Sequence, residues 1–151
     1  MSKGSNKNET DYPRDRSPRK KGNLEDGTQA AHILAYEVFK AILFHKLGPR
    51  YGELMWNSLQ WVLNQEMNLR IKSTQGNSED HKHDMAIIKA IHDPNIRLTN
   101  LKAVNRLVHA WEIVQKSEFP ENIKVLAREC FSSIHDKDGH VIIRSNSKLC
   151  I

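Results

Sequence analysis

Cysteine is scarce in this chain of 151 residues, where only Cys130 and Cys150 occur. Two thiols cannot build a disulfide framework or a Cys-rich zinc site, so a reducing compartment is the expectation. Long apolar runs are missing as well. Nothing approaches the roughly 18 apolar residues of a membrane span, so no membrane partner is expected. The opening residues Met1-Ser2-Lys3-Gly4-Ser5-Asn6-Lys7 lack the apolar stretch of a secretory signal. An intracellular location, cytoplasmic or nuclear, follows as an expectation. The chain also has no G-x-x-x-x-G-K-[ST] phosphate loop, no G-x-G-x-x-G and no G-x-S-x-G. Nucleotide-driven work and serine nucleophile chemistry therefore fall away.

Cations outnumber anions. There are 23 Lys and Arg against 18 Asp and Glu, a formal charge of +5 with a pI near 9.3. Such a balance suits a polyanionic partner, because phosphate backbones release counterions to basic proteins. Hydrophobic residues make up 38% and mean hydropathy is −0.63, which leaves room for an unpacked segment. Residues 1–27 fit that description, with Tyr12 and Leu24 almost their only apolar side chains. They are read as a disordered basic arm in which Arg14, Arg16, Arg19, Lys20 and Lys21 either seek phosphate or serve as solvated linker.

Residues 28–151 are expected to form one compact domain, mostly α, of about five helices with a small β element. Ile33, Leu34, Val38, Ile42 and Leu43 recur at three- and four-residue spacing, reading as one helix that Gly48-Pro49 ends. A second helix runs from Tyr51 to about Asn64. Ser73 to His81 is polar, contains Gly76-Asn77, and reads as a loop. Met85, Ile87, Ile88 and Ile91 mark a third helix. Leu98, Leu101, Val104, Leu107, Val108, Trp111 and Val114 draw the most regular stripe. A final helix starts at Pro120 and carries Ile123, Leu126, Ala127, Cys130, Phe131 and Ile134. Val141-Ile142-Ile143 reads as a short terminal strand.

Histidine is the informative residue type, with eight in the chain. Imidazole serves near neutral pH as a general base or metal ligand. His81-Lys82-His83-Asp84 places two imidazoles and a carboxylate within four positions; the plain alternative is a capped helix entry. His32 stands among small and aliphatic residues, where a satisfied helix-face histidine is the plain reading.

Together these regions resemble the HNH nucleases of the ββα-metal class. Asp26-Gly27-Thr28-Gln29-Ala30-Ala31-His32-Ile33-Leu34 is similar to the family's A-A-H-I segment. Asn68-Leu69-Arg70-Ile71 followed by Asn77 resembles its second half, and His81, His83 and Asp84 resemble the residues that close the site. The resemblance covers about residues 26–84. It implies that His32 is the general base and that Asn68 orients it by hydrogen bonding. It also implies that Asn77 with His81, His83 or Asp84 holds a divalent metal of the Mg or Zn class. Arg14, Arg16, Arg19, Lys20, Lys21 and Lys72 would then neutralise DNA or RNA backbone. The family's histidine ends a β-strand, whereas the periodicity here reads helix from Ala30 to Leu43.

The alternative to a metal-dependent nuclease is a non-enzymatic helical module that binds nucleic acid or a protein partner. Trp56, Trp61 and Trp111 would be its interface anchors or simply core. A helix-turn-helix with its turn at His92-Asp93-Pro94-Asn95 is a further form of that alternative.

Overall fold

The computed structural model describes residues 27–144. The basic arm, apart from Gly27, lies outside the described residues, as does Cys150. Within them the protein is mostly α with a small two-stranded sheet. In chain order come β1 (Thr28–His32), α1 (Tyr36–Leu59), two short 3₁₀ turns (Gln60–Asn64 and Glu66–Asn68), β2 (Leu69–Ser73), α2 (Thr74–His92), α3 (Leu101–Lys116) and α4 (Glu121–Ser132). No helix among the described residues is long and apolar enough to cross a membrane.

The first correction concerns Thr28–His32, which is a strand and not the start of a helix. It pairs antiparallel with β2, Thr28 opposite Ser73 and His32 opposite Leu69. Alanine favours helix by local propensity, but tertiary pairing overrides so weak a preference over five residues. The α-periodicity belongs only to the residues after Ala35. Further on, Gly48 ends the first helical stretch as expected, at φ 79°, ψ 171°, and the next starts at Pro49, two residues before Tyr51, where a missing amide donor costs nothing in a first turn. The break brings Gly52 against Phe44: a Cβ at Gly52 would lie 3.0 Å from the Phe44 Cα. The two expected helices are thus the two limbs of α1, on either side of Gly48.

A second correction concerns Ser73–His81. Ser73 Oγ accepts from Gly76 N at 3.0 Å, capping a helix that starts at Thr74. Its first turns are polar because they face solvent, which hides them from apolar periodicity. Val141–Ile143 forms no strand; a single bridge joins His135 to Val141.

The core lies where α1, α2, α3 and α4 meet, with Phe39, Ile42, Leu107, Ile123 and Phe131 sealed from solvent. Burying each such side chain contributes about 1.5–3 kcal/mol. Phe39 stacks on Phe119 at 4.5 Å, and Trp111 meets Phe131 edge-on at 6.4 Å. Trp111 is therefore core. The two-stranded sheet, whose strands are separated in sequence by α1 and the 3₁₀ turns, lies outside this core, with α2 following β2 directly and packing back on both strands.

Candidate nuclease site

His32 is the last residue of β1, and three independent contacts hold the chain around it. Asn68, at the end of the second 3₁₀ turn, is fully buried. Its Oδ1 accepts from Leu34 N at 2.7 Å, and its Nδ2 donates to Leu34 O at 3.0 Å and Leu63 O at 2.8 Å. Ile33 N donates to the Asn68 carbonyl at 2.9 Å. The turn leaving β1 is thereby fastened to the residue entering β2. Asn68 holds backbone; it does not orient the imidazole, which corrects the role expected for it.

That orienting role falls to Asn64. His32 Nε2 lies 2.8 Å from Asn64 Oδ1, and the Tyr36 hydroxyl donates to the same oxygen at 2.9 Å. An amide oxygen can only accept, so Nε2 donates at this contact. Tyr36 also lies against the imidazole, ring centroids 4.6 Å apart, and is itself backed edge-on by Trp56. Asn64 is fully buried.

The third contact comes from α3. Arg106 Nη2 donates to the His32 carbonyl at 2.8 Å. The same guanidinium grips Asp84 through Nε at 2.6 Å and Nη2 at 3.0 Å, and lies 3.4 Å from Asp80, which also binds Lys72. Burial pushes the Asp84 carboxyl above its ordinary range, and Arg106 pulls it back only in part. Asp84, expected among the metal ligands, is engaged in this nearly buried ion pair. Lys72 is likewise tied to Asp80 instead of standing ready for phosphate.

Helix α2 supplies the opposite wall. Asn77 and His81 are one turn apart and so share a face. Both line a cleft of about 610 Å³ together with His32, Tyr36 and Arg106. Asn77 Nδ2 donates to Gln29 Oε1 at 2.6 Å. His83 is turned away and lines a separate groove between β2, α2 and α3. His83 consequently stands apart, whereas His32, Asn77, His81 and the Arg106-bound Asp84 border one space. Among the described residues one trio of His, Cys, Asp or Glu brings its ligand atoms within 4.8 Å of one another: Asp136, Asp138 and His140. There Asp136 Oδ1 already accepts from the backbone of Asp138 and His140, both at 2.9 Å, in an exposed turn.

Asn64, Tyr36, Gln29, Asp80 and Arg106 belong to this site and were not evident from the sequence. The spacing of Asn64 and Asn68, two amides beside apolar Val62, Leu63 and Leu69, was the available signal for the first. Arg106 was marked only as a cation of α3 suited to phosphate or base contact, not as the partner of Asp84 and the His32 carbonyl. Comparison with family models, with curated proteins and with solved structures gives no match.

Proposed function

We propose that this protein is a metal-dependent nuclease of the ββα-metal type in which His32 is the general base. One observation carries the reading: a histidine ending the first strand of a two-stranded antiparallel sheet borders a cleft whose far wall, on the helix after the second strand, presents Asn77 and His81. Supporting it, Asn64 Oδ1 lies 2.8 Å from Nε2 and accepts its hydrogen bond, an arrangement that assigns the base role to Nδ1. An imidazole held in that tautomer removes a proton from water as the water attacks phosphorus. Arg106 keeps the strand end in register by its grip on the His32 carbonyl.

Asn77 and His81, which share a face of α2 and line the cleft, would hold a divalent cation through an amide oxygen and an imidazole nitrogen, leaving several positions open. When bound, such a cation polarises the scissile phosphate and stabilises its developing charge. The chain's own residues do the rest: His32 accepts the proton, Asn64 and Tyr36 hold the ring, and Asn68 holds the turn.

The test is cleavage of plasmid DNA and of a structured RNA by the whole chain, with Mg²⁺, Mn²⁺ or Zn²⁺ against EDTA. Cleavage that needs metal, and that is lost in His81→Ala while circular dichroism stays native, supports the proposal. Absence of cleavage by a folded protein under every metal overturns it and returns the helical binding module as the working reading.

A further inference from the structure

A groove of about 910 Å³ lies on the other side of His32, between β2, α2 and α3. It shares two residues with the cleft described above, His32 and Arg106. One wall is a polar stripe along α3: Lys102, Asn105, His109, Glu112 and Lys116. These positions fall three or four apart, so they form a single face, and all five are exposed. The opposite wall is β2, which offers Arg70 beside the exposed apolar Ile71 and, just before the strand, Met67.

The charges sort into used and unused. Lys72 and Arg106 are taken by Asp80 and Asp84. Among the described residues no carboxylate pairs with Arg70, Lys102 or Lys116. Glu79 and Glu112 also face the groove, Glu112 near the middle of the α3 stripe, so the uncompensated cations of α3 stand at its two ends. Lys102 and Lys116 are fourteen residues apart, about 21 Å along a helix. That is the axial length of about six phosphates of one nucleic-acid strand.

We propose that this groove carries the nucleic-acid backbone that flanks the scissile phosphate. Lys102 and Lys116 hold phosphates at either end, Arg70 holds one from the β2 wall, and Met67 and Ile71 meet sugars or base faces. The inference rests on the nuclease reading for its direction, because the groove leads to His32. It makes α3, which lies outside the unit of β1, β2 and α2, the substrate-binding element.

The experiment is fluorescence anisotropy of the whole chain with a short labelled oligonucleotide, single-stranded and duplex, across a salt series in EDTA. Lys102→Glu with Lys116→Glu is compared with Lys89→Glu with Lys137→Glu, exposed lysines away from the groove that change net charge equally. The groove pair is expected to weaken binding by about tenfold or more and to lower the salt slope by about two. The control pair should lose much less. Equal losses in the two pairs, or no binding by the unaltered chain, would overturn the proposal; an acidic protein partner would then be the better occupant. Because binding is read without metal, a chain that binds through the groove yet never cleaves defeats the nuclease reading and leaves the groove standing.

Discussion

His32 and Asn64 meet side chain to side chain at 2.8 Å across 32 positions of chain. Helix α1 and the first 3₁₀ turn intervene, and their effect is to return a buried amide oxygen to the strand end. That oxygen accepts a hydrogen bond from His32 Nε2. Replacing Asn64 with Asp puts a carboxylate against Nε2, which favours the imidazolium and raises the His32 pKa. The expected result is a pH–rate profile for cleavage whose acid limb moves to higher pH. Asn64→Leu should instead lower kcat by about 10- to 100-fold through loss of the tautomer. Profiles unchanged in both variants would remove Asn64 from its positioning role.

Asn68 acts on the backbone, so its loss is a stability effect first. Asn68→Ala leaves Leu34 N, Leu34 O and Leu63 O without their side-chain partner in a buried setting. Each orphaned group costs about 1–3 kcal/mol, partly relieved by water. The expected net loss is about 3 kcal/mol, lowering the melting temperature by on the order of 10 °C. A calorimetric scan checks it; a shift within a degree or two would mean that the turn is held by other contacts.

Arg106 and Asp84 give a pH signature. Burial already raises the Asp84 carboxyl, so its protonated form is favoured in the folded state relative to the unfolded one. A raised carboxyl contributes stability that is complete below the unfolded value of 3.8 and is lost as pH rises through the folded value. In Arg106→Met the pulling guanidinium is gone and the raised value climbs further. That variant should lose about 3–5 kcal/mol near neutral pH, because Asp84 is left charged, buried and unpaired. Much of the loss should be recovered on acidification toward the ordinary carboxylate range. Urea midpoints across pH read this directly, and a loss independent of pH would contradict it.

Cys130 is buried in α4, and burial pushes its thiol up to about 11. With Cys150 replaced by Ser, the native chain should resist iodoacetamide at pH 8 and react fully in denaturant. Rapid labelling of the native protein would show that α4 opens readily from the core.

How much of this was legible beforehand follows from what each signal measures. Apolar stripes report burial of one helix face, so α3 and α4 were readable from Leu107, Trp111, Ile123 and Phe131. The same signal is blind to the start of α2, whose residues from Thr74 to His81 face solvent or the cleft. It also misassigned Thr28–His32, because that segment becomes a strand only through pairing with Leu69–Ser73. The family resemblance located His32, Asn77 and His81, which border one cleft. It also nominated His83, which faces the α3 groove, and Asp84, which borders the same cleft but is held by Arg106. Asn64 and Arg106 stayed hidden because their partners lie 32 and 22 positions away. Nothing local in the sequence records such a meeting.

The most direct measurement is single-turnover cleavage by the unaltered chain and by His32→Ala, side by side in the metal that supports activity, with native circular dichroism verified for both. Loss of general-base catalysis should slow cleavage by about 10²- to 10⁴-fold in the variant while its fold and oligonucleotide affinity persist. Equal rates in the two proteins would contradict the assignment of His32, and with it the nuclease reading of the cleft.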